Sequence, residues 1–194
     1  MAILASGAGS NAERIMAHFE NHPSVSVKLV LSSKKTAGVL QKAENFGIET
    51  LILDKERFMT SDTYIQTFQR EQIDILILAG FLWKVPPNLV AAFPERIINI
   101  HPALLPKYGG KGMYGTFVHE AVIKAGEKES GITIHLVDEA YDHGKHLFQT
   151  TCPVEQTDTP DLLAGKIHSL EHQYFAKTIE AYILKNPALF NRGQ

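Results

Sequence analysis

"IDILILAG", residues 73 to 80, is an almost unbroken apolar run of strand length closed by a glycine. A strand with one face in water alternates polar and apolar residues, whereas a run without a polar face must be covered on both sides, as in the interior of a parallel sheet. The stretch therefore predicts a central strand with helices on both faces. Toward the N-terminus, "AIL" (2–4) runs through "ASGAGSN" (5–11) into "NAERIMAHFENH" (11–22), where Ile15, Met16 and Phe19 recur at helical spacing. "VSVKLVLSS" (25–33) predicts a second strand, "AGVLQKAENFG" (37–47) a helix ended by Gly47, "IETLIL" (48–53) a third strand, and "ERFMTSDTYIQTFQREQ" (56–72) a single third helix. Toward the C-terminus, "FLWKVPPNLVAAFP" (81–94) suits a loop with a short helix, and "RIINI" (96–100) makes a fifth strand that ends at His101. Strands alternating with helices imply parallel pairing through right-handed crossovers. The expected fold is α/β, an open doubly wound and mostly parallel sheet with helices on both faces.

The last third changes character. "GITIHLVDEAYDHGKHLFQTTCPV" (131–154) shows two β-rich runs around "DEAYDHG", so a C-terminal antiparallel hairpin is expected, followed by a long helix from about Thr159 to Leu184. "LPKYGGKGMYG" (105–115), with four glycines, predicts a mobile surface loop. No repeat or linker divides the chain, and one domain over 1–194 is expected.

Composition narrows the function classes. The 194 residues are 44% hydrophobic and 21% charged, and 19 basic against 21 acidic residues leave a net charge of -2, without the basic face that nucleic acid requires. The single cysteine, Cys152, excludes an internal disulfide and a multi-cysteine zinc site. The opening "MAILASGAGS" lacks a basic leader and no stretch reaches membrane-spanning length, so a cytoplasmic protein without a membrane partner is expected.

Three constellations carry chemistry. "SGAGSN" joins strand one to helix one; glycines allow the tight turn, and the unpaired amides of the helix start attract a phosphate, with Ser10 or Asn11 expected to cap the helix. Gly7, Gly9 and Ala12 also satisfy G-x-G-x-x-A, but strand two ends in Ser32, Ser33, Lys34 and Lys35 rather than in an acid that would hold a ribose, which favours a phosphomonoester over a dinucleotide. Asn99 and His101, two apart on a strand, point to the same face at its carboxyl end, where open α/β sheets bind ligands. An amide donor beside an imidazole that can be protonated near neutral pH suits a developing oxyanion. In "HLVDEAYDHG", a carboxylate beside His101 would favour its charged form and pass protons, and spacing alone does not choose between Asp138 and Asp142. Metal readings fail: His143 with His146, and His168 with His172, lack a third ligand, and His119-Glu120 has Ile123 where H-E-x-x-H needs histidine.

Together, "ILASGAGSN" (3–11), "LAGFLWKV" (78–85), "INIHPALLPKY" (98–108) and "GITIHLVDEAYDHG" (131–144) make the chain resemble the folate-dependent formyltransferases, in their glycinamide ribonucleotide transformylase branch of purine biosynthesis. Methionyl-tRNA formyltransferases and formyltetrahydrofolate hydrolases share the central motif but carry further domains, for which 194 residues are expected to leave no room. The resemblance implies that Asn99, His101 and Asp142 are catalytic, that Gly9, Ser10 and Asn11 hold the phosphate of 5′-phosphoribosylglycinamide, and that Glu171 holds its ribose. It further implies His135 as a supporting residue and a 10-formyltetrahydrofolate site against Leu82, Trp83, Val85, Asp138 and Ala140. The implied partners are these two small molecules, with no metal and no nucleic acid, in a monomer or homodimer. Departures from the family pattern lie in the longer "GGKGMYG", at Trp83 and Lys84, and at His168.

Overall fold

Seven strands form one sheet in the order β3-β2-β1-β4-β5-β6-β7 in the structure, a computed structural model that describes residues 1–190. The strands are β1 Ala2–Ala5, β2 Leu29–Ser32, β3 Glu49–Ile52, β4 Leu76–Leu78, β5 Ile97–His101, β6 Glu129–Leu136 and β7 His146–Pro153. The first five pair in parallel and the last two antiparallel. Between them lie α1 Ser10–Phe19, α2 Gly38–Asn45, α3 Lys55–Thr60, α4 Thr63–Arg70, α5 Pro87–Ala92 and α6 Thr116–Ala125; α7 Pro160–Lys185 and α8 Pro187–Phe190 close the described chain. Of the expected 1–194 span, the last four residues lie outside the described ones.

The pleat sorts the core. Ile3 and Ala5 of β1, with Ile77 of β4, pack on one face with Ile15 of α1 and Phe175 of α7. Ala2, Leu4, Leu76 and Leu78 point the other way, onto Phe58 of α3, Phe68 of α4 and Leu89 of α5. Both faces of β4 are thus covered, as its apolar run requires.

From β1 the chain winds outward to β3 and then crosses back to place β4 on the other side of β1. A crevice opens at this reversal, outside the carboxyl ends of β1 and β4, where doubly wound sheets take ligands. The antiparallel pairing of β5 with β6 sets Asn99 opposite His135 and His101 opposite Thr133, bringing a second histidine to the crevice.

Two expectations are corrected and one helix is new. The single helix over 56–72 is two, α3 and α4, broken at Ser61, whose backbone is extended. There Thr60 and Ser61 hydroxyls donate to the Glu56 and Arg57 carbonyls at 2.8 Å, local bonds that compete with helix continuation. The strand expected from residue 25 begins only at Leu29. Helix α6, unanticipated, starts directly behind the glycine-rich segment and buries Val118, His119 and Val122.

Candidate active site

The crevice is a cavity of about 600 Å³. Gly9, Ser10 and Asn11 line it from the start of α1, Leu82, Trp83 and Val85 from the segment after β4, and Asn99 and His101 from β5. His135, Asp138, Ala140 and Asp142 reach it from β6 and the following turn, and Glu171 from α7. The residues that the resemblance implies for the site therefore line one cavity, whereas Ala12 and the Ser32–Lys35 stretch do not.

Its polar end is a chain of four side chains. His135 Nδ1 lies 2.8 Å from the Leu136 carbonyl, which only accepts, so Nδ1 carries the hydrogen and Nε2 accepts from Asn99 Nδ2 at 3.1 Å. This fixes the Asn99 amide and leaves its second N–H for a ligand. Likewise His101 Nε2 donates to the Tyr108 carbonyl at 2.8 Å, which turns Nδ1 toward Asp142 Oδ2 at 3.6 Å. The other carboxylate oxygen stands 3.6 Å from His135 Nε2. Asp142 adopts a left-handed backbone, φ 54°, and accepts from the Gly110 amide at 2.9 Å. Asp138 instead accepts from the Ala140 amide at 2.9 Å, spending its carboxylate on its own turn.

The charge of His101 differs from the expectation. Only 3% of its surface is exposed, and burial lowers its pKa by more than Asp142 and the Tyr108 carbonyl raise it. The resting ring is therefore uncharged at neutral pH. The carboxyl of Asp142 sits below its ordinary range: burial pushes it up, but the neighbouring His135 and His101 rings and the Gly110 amide together outweigh that.

At the other end, Gly9 adopts φ 76° at the N-cap of α1, and a Cβ there would stand 2.6 Å from Val39 Cβ, so no larger residue fits. No side chain caps α1, contrary to expectation, so the first amides of this ten-residue helix stay open to an anion. Asn11 Nδ2 instead donates to Glu171 Oε2 at 2.8 Å, while Asn11 Oδ1 is buried without a partner. Burial raises the pKa of Glu171, outweighing this bond. Ser33 Oγ lies 2.6 Å from Ser6 Oγ, so the end of β2, where a dinucleotide ribose would be read, is spent on tying down the loop.

An apolar wall completes the cavity. Trp83 packs against Phe58 and Phe81 with ring centroids 5.8 and 5.9 Å apart, Val85 is buried, and Leu82 is 44% exposed at the mouth. Lys84 Nζ lies 5.2 Å above the Tyr141 ring, joining this wall to the 138–144 turn.

Sequence reasoning weighed His119 only as a metal ligand and gave it no place in the site, yet from α6 it lines the cavity and is 3% exposed. Its signal was the helical spacing of Val118 and Val122 around it. The glycine-rich segment, expected to lie at the surface, contributes residues 110–115 to the lining. Among the described residues no group of three or more His, Cys, Asp or Glu is arranged to hold a metal ion, and no helix is long and apolar enough to cross a membrane.

A formyl transferase family profile matches residues 1–179. The chain is 38% identical over 187 residues to the chloroplastic phosphoribosylglycinamide formyltransferase of Arabidopsis thaliana, covering 93% of this chain and 64% of that one. It likewise spans 60% of the chloroplastic enzyme of Vigna unguiculata. Against phosphoribosylglycinamide formyltransferase of Bacillus subtilis it is 31% identical over 198 residues, covering 100% of this chain and 97% of that one. The crystal structure of phosphoribosylglycinamide formyltransferase from Bacillus halodurans superposes with a TM-score of 0.88 at 33% identity, covering 98% of both chains.

Proposed function

The chain belongs to the formyl transferase family, and on that premise we propose that it transfers the formyl group of 10-formyltetrahydrofolate to the amine of 5′-phosphoribosylglycinamide, a step of purine biosynthesis. The observation that carries this reading is one cavity with an open helix start at one end and Asn99, His101 and Asp142 at the other. The phosphate goes to the amides of Gly9, Ser10 and Asn11, and the ribose to Glu171. The flat folate ring suits the wall of Leu82, Trp83 and Val85 beside Asp138 and Ala140.

The amine nitrogen bonds to the formyl carbon, the bond from that carbon to the folate nitrogen breaks, and one proton passes from the first nitrogen to the second. Between these events the formyl oxygen is an anion. The free N–H of Asn99 donates to it, and His101 takes up a proton as that charge forms beside it. Asp142, ionised and 3.6 Å from His101 Nδ1, supports the imidazolium and relays the proton through water. His135 holds the Asn99 amide in register. Alignment of two bound substrates supplies about 7–11 kcal/mol where the geometry is good. The steps draw on side chains and two substrates, and call on no metal ion. A cytoplasmic setting and a monomeric or dimeric state belong to the same proposal.

The test follows the absorbance change of the 10-formyl folate with and without 5′-phosphoribosylglycinamide. Loss of formyl folate only when the amine is present, with a formylated product, supports the proposal. Equal loss without the amine is hydrolysis and overturns it, as does no loss at all.

A further inference from the structure

Three residues of the glycine-rich segment reach both members of the His101–Asp142 pair. The Tyr108 carbonyl accepts from His101 Nε2 at 2.8 Å and so decides which ring nitrogen carries the hydrogen; two residues on, the Gly110 amide donates to Asp142 Oδ2 at 2.9 Å. Gly109 between them runs so close to the turn that a Cβ would stand 3.3 Å from Asp142 Cβ and 2.5 Å from Leu105 Cδ2. Tyr108 itself is in the left-handed region at φ 56°, a conformation that costs a tyrosine on the order of 1 kcal/mol and persists only where neighbours impose it.

What imposes it lies outside the cavity. The Tyr108 hydroxyl donates to Glu127 Oε1 at 2.9 Å, and Lys107 Nζ donates to the same oxygen at 2.9 Å. Glu127 is placed by rigid elements, between the end of α6, where its amide lies 3.4 Å from the Val122 carbonyl, and the start of β6. Lys107, followed by Tyr108, holds the Glu127 carboxyl below its ordinary range, so the acceptor is ionised at neutral pH. The connection runs from Glu127 through the tyrosine side chain to backbone 108–110, and from there to both catalytic groups.

We propose that Glu127, acting through the Tyr108 hydroxyl, is a positioning residue that sets the tautomer of His101 and the place of Asp142. For the roles of those two side chains the inference rests on the function proposed above.

Its test uses the full chain with Tyr108→Phe, Glu127→Ala and Glu127→Gln, read by steady-state kinetics and by ¹⁵N spectra of the histidines. Tyr108→Phe and Glu127→Ala should each lower kcat about tenfold or more, since a small misplacement of reacting groups costs that much, while both KM values stay within about twofold. Glu127→Gln, whose carbonyl oxygen still accepts from the hydroxyl, should recover most of the loss. In the spectra of Tyr108→Phe and Glu127→Ala, His101 should lose its single Nε2–H form. Parent-like kcat with the His101 tautomer unchanged in either foldable variant overturns the proposal, and so does a fall in thermal stability alone. The spectra do not depend on formyl transfer: a parent without activity fails the proposed function, whereas an unmoved His101 fails this inference.

Discussion

His119 offers a titration whose size follows from its surroundings. The ring is buried on α6, Nδ1 has no hydrogen-bond partner, and burial, aided by the proximity of His168 and His101, lowers its pKa from an ordinary 6.5 to about 4. Between these values the unfolded chain binds a proton that the native one refuses, so stability falls as pH falls through that window. Each unit is worth about 1.4 kcal/mol, which makes the loss from this residue about 2 kcal/mol between pH 7 and pH 5. Urea unfolding of the parent and of His119→Gln at the two pH values isolates it, because the other titrating groups are common to both proteins. The parent should lose about 2 kcal/mol more than the variant on acidification. Parallel losses would refute the reasoning, since they would mean that His119 takes a proton in the folded state as readily as in the unfolded one.

Asn99→Ala removes the donor proposed for the oxyanion and should lower kcat on the order of 10²–10³-fold; it also strips buried His135 Nε2 of its partner, so the unfolding midpoint should fall as well, and a parent-like kcat would refute the proposed role. Asp142→Asn leaves the burial of His101 opposed by the Tyr108 carbonyl without the carboxylate, so kcat should fall on the order of 10²-fold or more and the acid limb of its pH profile should move to lower pH; an unmoved limb counts against the pairing. In Gly144→Ala a Cβ would stand 1.8 Å from the Leu136 carbonyl oxygen, so the turn that carries Asp142 must shift, at about 1–3 kcal/mol in urea unfolding. Unchanged stability and activity would show that the turn yields freely.

The fold was legible wherever one local signal dominated. The two-sided apolar run at 73–80 predicts a covered strand, and β4 packs both ways, since hydrophobic period depends little on distant residues. Helix α6 was hidden because its buried face includes a histidine, and because the glycines before it read as the end of order rather than as the entry to a helix. The break between α3 and α4 was written in four consecutive hydroxyl and carboxylate residues, Thr60 to Thr63, whose local bonding outweighs the apolar period on either side. In the site, the common face of Asn99 and His101 followed from strand geometry. The pairing of Asn99 with His135 did not, because it depends on the register between β5 and β6, set by contacts far apart in sequence. The alternative capping of α1 failed for a similar reason: Asn11 is drawn away by Glu171, 160 residues further along.

The uncharged His101 is where local reading misleads most, and where the mechanism gains from it. A carboxylate 3.6 Å away predicts a cation, but burial outweighs one anion. A second anion changes the balance: a unit charge about 4 Å from the ring, at the effective dielectric of a protein site, is worth about 4 kcal/mol, or about three pKa units. In the proposed reaction the ring is thereby pushed toward the imidazolium as the formyl oxygen turns negative, and releases the proton when that oxygen becomes a carbonyl again. A resting cation would already be neutralised by Asp142 and would gain less from the oxyanion. It follows that an anionic tetrahedral analogue of the formyl centre should bind with net uptake of protons at pH 7, measured by calorimetry in buffers of different ionisation enthalpy. That uptake should vanish in His101→Gln. Binding without proton uptake, or an imidazolium at position 101 in the ligand-free protein at pH 7, would leave the oxyanion to Asn99 alone.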